Sequence, residues 1–250
     1  MVERAITAKE MAKEQRAISV AEFFEKNRHL LGFDNPTKAL LTVVKEAVDN
    51  SLDACEEANI LPEIKVKIKE LEENRFKVAI EDNGPGIMRE QIPRIFAKLL
   101  YGSKFHRLRQ SRGQQGIGIS ASVLYAQLTT GYPAVIYSKP TKKGKTHVFH
   151  LKIDTVNNEP EIIKEDLISD GMEHTGTKLE IIIEGKYVQR YHSADEYLKQ
   201  TAIVNPWAHI TYENPLGEKM DFPRAVHKLS KKPKEIRPHP YGVELGILIR

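Results

Sequence analysis

The stretch EAVDNSLD, residues 46–53, carries the strongest indication of how this chain folds. It lies within a predicted helix over 36–58, which opens on Asn35 as N-cap with Pro36 in the first helical position. Successive helical residues are rotated by about 100°, so four oxygen-bearing side chains fall on one side, opposite the apolar face. They are Glu46, Asp49, Asn50 and Asp53.

This polar stripe has two interpretations. Acidic residues on a helix usually form a solvated face, but acids three or four positions apart repel each other by about 0.2–0.5 kcal/mol per pair. The residues four positions after Glu46 and Asp49 are Asn50 and Asp53, not lysines. A bound cation explains such a stripe, and Mg²⁺ prefers carboxylate and carboxamide oxygens together with waters and phosphate oxygens.

A second motif, DNGPG over 82–86, follows two predicted strands at 63–70 and 75–82. The motif is typical of a simple turn, because Asn-Gly and Pro-Gly are common turn formers. A functional interpretation is that Asp82 projects from the strand end into a pocket and accepts a hydrogen bond from an exocyclic amine. The glycines would let the backbone approach a flat ring.

A third motif, GQQGIG over 113–118, precedes a predicted helix over 117–128. Backbone N–H groups at a helix start can bind a phosphate, and the helix dipole favours the negative charge. The motif is neither a Walker A loop, because no Gly-Lys-Ser/Thr follows, nor a Rossmann turn, because no strand precedes it. A mobile lid and a rigid phosphate cradle are both compatible with its glycines.

The composition is that of a folded protein without a membrane span. The chain has 250 residues, 40% hydrophobic and 29% charged, which suffices for one large core or two modest ones. Apolar runs fall short of the roughly 18 residues of a membrane helix, and the first residues lack the apolar region of a secretory signal. A single cysteine, Cys55, fits a reducing cytoplasm. An excess of 38 Lys and Arg over 34 Asp and Glu is weak evidence for nucleic-acid binding.

Periodicity elsewhere predicts an α+β fold. Alternating apolar residues predict strands over 134–140, 145–154, 161–168 and 177–185, and a last hairpin formed by AHITYEN and KMDFP. Helices are predicted from Ser19 to near Gly32, after Gly86 and after Ser193. Strand runs broken by separate helices favour a two-layer sandwich, a mostly antiparallel mixed sheet with helices on one face.

The order of the three motifs is similar to that of a known family. An acidic, Asn-bearing helix, a strand-end DxGxG and a GxxGxG segment follow one another at intervals of about 30 residues. This pattern resembles the Bergerat ATP-binding fold of the GHKL family, which includes gyrase, heat-shock chaperone ATPases, sensor histidine kinases and mismatch-repair MutL. Gly176-Thr177 resembles the fourth element of that family.

Residues outside the motifs resemble one branch of the family. The strings AEFFEKNRHLLGFDNPTKAL, LLYGSKF, RGQQGIGISASVLYAQ, NPWAHI and RPHPYG are similar to the B subunits of archaeal type IIB DNA topoisomerases, topoisomerase VI. The similarity extends over nearly all of residues 18–245. Most of these strings have no role in generic ATP binding.

The resemblance implies roles for individual residues. Glu46 would be the general base that polarises the attacking water, and Asn50 would bind magnesium. Asp82 would read the adenine amino group, supported by Thr177 through water, with Gly86 beside the ring. Further nucleotide contacts would come from Ser103, Lys104, Gly113, Gln114, Gln115, Gly116, Ile117, Gly118, Ile119 and Ser120.

The resemblance also implies a domain organisation and partners. Residues 1–17 would be an arm that crosses to a second B subunit in an ATP-dependent dimer, and 18–228 would be the ATPase domain. Residues 229–250 would begin the linker and helical insert, before a transducer domain that supplies a lysine to the γ-phosphate, so weak hydrolysis is expected of this chain. Two B and two A subunits would act on double-stranded DNA in the cytoplasm, at the nucleoid and without a membrane.

The same motifs are compatible with other functions. A histidine-kinase ATP-binding domain would not need Glu46 as a base, and the YGSKF and HPYG strings disfavour MutL-like and chaperone ATPases. A non-enzymatic alternative is a nucleotide-gated dimerisation module without significant turnover.

Overall fold

A computed structural model describes residues 18–102, 112, 117–189, 191–232 and 234. In this part of the chain the helices are α1 Val20–Lys26, α2 Pro36–Glu57, α3 Ile92–Ala97, α4 Gly118–Thr130 and α5 Ala194–Val204. The strands are β1 Glu63–Glu72, β2 Arg75–Asp82, β3 Ala134–Lys139, β4 Thr146–Asp154, β5 Glu159–Ile168, β6 Gly176–Glu184, β7 His209–Glu213 and β8 Lys219–Phe222. Over these same ranges, none of the helices has the length and apolar character needed to cross a bilayer.

The strands form one sheet in the order β5-β4-β3-β6-β2-β1-β7-β8. Neighbouring strands pair antiparallel except β1 and β7, which are parallel. Placing β6 between β3 and β2 joins the two halves of the sheet and brings the end of β2 beside the start of β6. The predicted mostly antiparallel, mixed sheet is confirmed.

The two faces of the sheet differ in character. On β2, Phe76, Val78 and Ile80 are buried and alternate with partly exposed residues, and this face packs against α2 and, through β6, against α4. The opposite face carries ion pairs between strands, such as Lys67 with Glu213 at 2.7 Å. Helices therefore cover one face, as the sequence predicted.

Helix α2 confirms the prediction made for residues 36–58. The Asn35 side chain accepts a hydrogen bond from the Lys38 backbone N–H, and Pro36 occupies the first turn, where its missing N–H is not needed. The predicted apolar face is buried and holds the helix on the sheet. Its members are Leu40, Val44, Ala47, Val48 and Cys55.

Two predicted helices are shorter than expected. Helix α1 ends at Lys26 and not near Gly32, because Asn27 has left the helical conformation and its side chain donates to the Phe23 carbonyl. The segment after Gly86 is divided into a 3-10 turn, Arg89–Gln91, and α3. A proline at the start of α3 supplies no N–H, which explains why a new helix begins there.

Candidate functional site

A cavity of about 940 Å³ lies between α2, the first turn of α4 and the adjacent ends of β2 and β6. This volume is in the range of small-molecule sites, about 300–1,000 Å³. The helix and strand-end motifs contribute to its wall, together with residues 117 and 118 of the third motif and Thr177 of the fourth element. The contributing residues include Glu46, Asn50, Ser51, Asp82, Gly86, Ile117, Gly118, Ile119 and Thr177.

Glu46 lies on the cavity side of α2 with about a quarter of its side chain exposed. Burial raises the pKa of its carboxyl above the ordinary value, and the neighbouring Lys45 ammonium, 3.5 Å away, partly opposes this effect. A carboxylate with a raised pKa takes up a proton more readily at neutral pH. Glu46 can therefore polarise or deprotonate a group held in the cavity.

Two acids of the α2 stripe have partners within the protein, contrary to the expectation drawn from the residues four positions after them. Asp49 accepts hydrogen bonds from Lys45 at 3.1 Å and from the Tyr197 hydroxyl at 2.8 Å. Asp53 accepts one from Arg112 at 2.9 Å. The expectation considered only residues four positions further along, whereas Lys45 precedes Asp49 by four and the other two partners come from distant segments.

Two members of the stripe remain on the cavity wall, Glu46 and Asn50. Within the described ranges, no cluster of three His, Cys, Asp or Glu residues is arranged to hold a metal ion. A Mg²⁺ ion fits this donor set if a carboxamide oxygen supplies one ligand and phosphate oxygens and waters supply the others, which is its usual coordination in nucleotide sites.

Asp82 is almost fully buried at the end of β2 and holds three hydrogen bonds. Its Oδ1 accepts from the backbone N–H groups of Gly84 at 2.9 Å and Thr177 at 3.1 Å. Its Oδ2 accepts from the Ser51 hydroxyl at 2.9 Å. Burial raises the pKa of Asp82 from 3.8 to about 6, although these hydrogen bonds oppose the shift.

Glycines permit the close backbone contacts around Asp82. Gly176 has φ +151°, and a Cβ there would lie 1.9 Å from the Asp82 carbonyl oxygen. Gly86 has φ +70°, and a Cβ there would lie 2.6 Å from the Lys139 carbonyl oxygen. Any larger residue at either position would push β6 or β3 away from the motif.

The start of α4 touches the Glu46 carboxylate directly. A Cβ added to Gly118 would lie 1.7 Å from Glu46 Oε2. The Ser120 hydroxyl, by contrast, donates to the Ile117 carbonyl at 3.0 Å within a fully buried environment. Of the predicted contact residues, Ile117, Gly118 and Ile119 line the cavity, and the Ser120 side chain stabilises the helix start instead.

Part of the predicted site belongs to segments outside the described residues. Outside the described residues lie the arm at 1–17 and the positions Ser103, Lys104, Gly113, Gln114, Gln115 and Gly116. Two residues without a predicted role, Ser51 and Arg112, also line the cavity. Ser51 follows Asn50 directly and could have been noticed, whereas the contacts of Arg112 depend on the tertiary fold.

The sequence is similar to one family model and to proteins of known name. Residues 35–155 match the family model described as "Histidine kinase-, DNA gyrase B-, and HSP90-like ATPase". The chain is 56% identical over 244 residues to the B subunit of type 2 DNA topoisomerase 6 from Methanococcoides burtonii, covering 97% of this chain and 39% of that protein. For the protein of the same name from Archaeoglobus fulgidus the identity is 55%, covering 96% and 40%. The chain thus spans about two-fifths of the length of these relatives.

Among solved structures, the topoisomerase IV ATP-binding domain of Francisella tularensis in complex with a small-molecule inhibitor aligns with a TM-score of 0.49 and 22% identity. That alignment covers 82% of this chain and 97% of the other.

Proposed function

Because the chain belongs to the family of type 2 DNA topoisomerase 6 B subunits, we propose that its cavity binds and hydrolyses Mg-ATP as the gate domain of such an enzyme. The observation that carries this proposal is the meeting of Glu46, Asn50, Asp82 and Gly118 at one cavity of suitable volume.

Asp82 and its surroundings suit the adenine end of the nucleotide. At neutral pH the ionised carboxylate accepts a hydrogen bond from the 6-amino group through Oδ2, which receives one hydrogen bond, from Ser51, among the described residues. Thr177 lies beside Asp82 and supports the same end, directly or through water. Gly86 adds no side chain to the wall, so a flat ring can approach the backbone.

The phosphate end lies against α2 and α4. Ile117, Gly118 and Ile119 stand at the first turn of α4, where backbone N–H groups lack helical partners and the helix dipole favours negative charge. Asn50 would hold Mg²⁺ through its carboxamide oxygen, together with phosphate oxygens and waters. When bound, the ion neutralises charge that develops on the phosphates.

Glu46 is the residue proposed to act on the attacking water. Its raised pKa favours acceptance of a proton from a water held between the carboxylate and the terminal phosphate. Ser103, Lys104 and residues 113–116 complete the proposed phosphate contacts, as the family resemblance implies. The protein would otherwise contribute to hydrolysis by positioning the nucleotide and stabilising its developing charge.

At the level of the whole enzyme, ATP binding would join two B subunits, with residues 1–17 crossing to the partner. Two A subunits would cleave double-stranded DNA, and the ATP cycle would open and close the gate through which a second duplex passes. The proposed limits of the ATPase domain are residues 18 and 228, with the linker beginning at 229.

Calorimetric titration with a non-hydrolysable ATP analogue tests the proposed function. We expect binding in the presence of Mg²⁺, weaker binding when Mg²⁺ is chelated, and no comparable binding of the matching GTP analogue, because Asp82 selects the amino group. Asn50→Ala should remove the difference between the titrations with and without Mg²⁺. Equal affinity for the two nucleotides would contradict the adenine assignment.

Gly118→Ala is expected to separate hydrolysis from folding. The added methyl group would meet the far end of the Glu46 side chain, so the carboxylate must move. The fold should be preserved, because alanine favours a helix more than glycine does. Single-turnover hydrolysis should fall about 10- to 100-fold, while the melting temperature stays near that of the wild type. A wild-type hydrolysis rate would show that the position of the carboxylate does not matter.

A further inference from the structure

Ser138 is a polar residue at a core position of β3. The alternate residues Ala134, Ile136 and Ser138 of this strand are all buried, so the period of two places an apolar side chain at position 138. The chain has a fully buried hydroxyl there instead. Buried polar side chains are almost always hydrogen-bonded, so the partner of this hydroxyl indicates what the serine does.

The Ser138 hydroxyl pairs with both backbone groups of Ile87. It accepts a hydrogen bond from the Ile87 N–H at 2.7 Å and donates one to the Ile87 carbonyl at 2.9 Å. A hydroxyl can do both at once, because it carries one donor and two acceptor lone pairs. Ile87 directly follows the DNGPG motif and lines the cavity. The serine therefore fixes the backbone of a cavity-wall residue from a distant strand.

The segment 83–87 is held at both of its ends. At the first end, the Asn83 carboxamide donates to the Leu61 carbonyl at 3.0 Å and accepts from the Glu63 N–H at 2.8 Å. At the other end, the hydroxyl on β3 holds the backbone. Gly86 lies between these two attachments and lines the cavity.

Ser138 also adjoins the other element at this end of the cavity. In the pairing of β3 with β6, Ser138 stands opposite Thr177, whose N–H donates to the Asp82 carboxylate at 3.1 Å. One position of β3 is thus connected to both sides of the proposed base site. Its side chain holds the segment after Asp82, and its backbone is in register with the residue that supports Asp82.

We propose that Ser138 is a positioning residue for the adenine base, which holds the backbone at Gly86 and Ile87 at the distance from Asp82 that a flat ring requires. This role rests on the proposed function and extends it to a residue outside the motifs. Without the hydroxyl, the Ile87 N–H and carbonyl lose these hydrogen bonds, and the wall beside the base is no longer held against β3.

The main test measures ligands that share the base. Calorimetry would compare the wild-type chain with Ser138→Ala for adenosine and for a non-hydrolysable ATP analogue, the latter with and without Mg²⁺. Both ligands should bind about tenfold more weakly to the variant, a loss typical of a broken buried hydrogen bond. The factor by which Mg²⁺ strengthens binding of the analogue should stay at the wild-type value, because Asn50 is untouched.

Threonine and valine at position 138 test the hydroxyl at constant shape. Both side chains are β-branched and suit a strand, but only threonine keeps a hydroxyl. Ser138→Thr should therefore bind adenosine and the ATP analogue about tenfold more tightly than Ser138→Val. This pair decides the question if Ser138→Ala does not fold.

The matched control is Gln127→Met. The Gln127 carboxamide also holds both backbone groups of one residue, donating to the Ile153 carbonyl at 3.0 Å and accepting from the Ile153 N–H at 2.8 Å. Neither residue lines the cavity. Gln127→Met should lower the melting temperature, as Ser138→Ala does, without changing either affinity.

Four results would overturn the role of Ser138. They are unchanged affinity in folded Ser138→Ala, equal affinity of the threonine and valine variants, a loss confined to the ATP analogue, and an equal loss in Gln127→Met. A wild-type chain that binds neither adenosine nor the ATP analogue would instead overturn the proposed function.

Discussion

Replacing Glu46 with alanine is expected to leave ATP bound and to slow its hydrolysis by roughly 100- to 10,000-fold, the usual contribution of a general base. Asp82 and Asn50, which are proposed to hold the adenine and the metal, are not altered by this change. Removing a carboxylate near the triphosphate also removes a repulsion, so affinity should be equal or higher.

Single-turnover measurements with enzyme in excess over ATP detect this effect even when basal hydrolysis is slow. Glu46→Gln, which keeps the shape and loses the base, should match the alanine variant. Asp49→Asn is the matched control on the same helix, because Asp49 is held by Lys45 and Tyr197 and does not line the cavity. Loss of nucleotide binding in Glu46→Ala would remove Glu46 from the role of base.

The sequence predicted the parts of the fold that depend on local periodicity. Helix α2 and the β1–β2 pair follow from apolar spacing and from a cap at Asn35, all within a few residues of each other. The charge balance of α2 was predicted wrongly, in part because Lys45 pairs with Asp49 from four positions before it on the same helix. The other two partners, Arg112 and Tyr197, reach the helix from 59 and 148 residues away. Such contacts exist only after the sheet has been assembled, so no local pattern reports them.

The same distinction applies to the candidate site. Motif order predicted that the acidic helix, the strand end and the glycine segment meet, and the structure brings the helix, the strand end and residues 117 and 118 of the segment to one cavity. The hydrogen bonds that lower the pKa of Asp82 against the effect of burial were not predictable in the same way. The Thr177 N–H reaches Asp82 because β6 is inserted between β3 and β2, a topology that strand periodicity does not specify.

Asp82→Asn is expected to abolish most of the ATP affinity without harming the fold. Asparagine can keep all three hydrogen bonds, since its Oδ1 accepts from Gly84 and Thr177 and its Nδ2 donates to the Ser51 oxygen. That Nδ2 would then face the adenine amino group, donor against donor. The expected loss is about 100-fold, typical of a buried polar group left unpaired.

The stability of this variant should exceed that of the wild type at alkaline pH. The pKa of Asp82 is raised by burial from 3.8 to about 6 in the folded chain, so the folded state binds this proton more tightly than the unfolded state. Protonation of Asp82 therefore adds to the free energy of unfolding at low pH, and this contribution is lost as the pH rises through about 6. For a shift of this size the loss is up to about 3 kcal/mol. Asparagine does not titrate, so its advantage over aspartate should grow as the pH rises from about 4 through about 6 and then level off.

The two readouts together identify the role of Asp82. Wild-type affinity for the ATP analogue should fall as the pH drops below about 6, because the protonated acid is a weaker acceptor, and Asp82→Asn should show low affinity without this pH dependence. Thermal melts over the same pH range measure the stability difference. If Asp82→Asn retains the preference for ATP over GTP, Asp82 does not read the base. If it melts far below the wild type at every pH, its carboxylate is needed for the fold, and the loss of affinity would not be evidence of recognition.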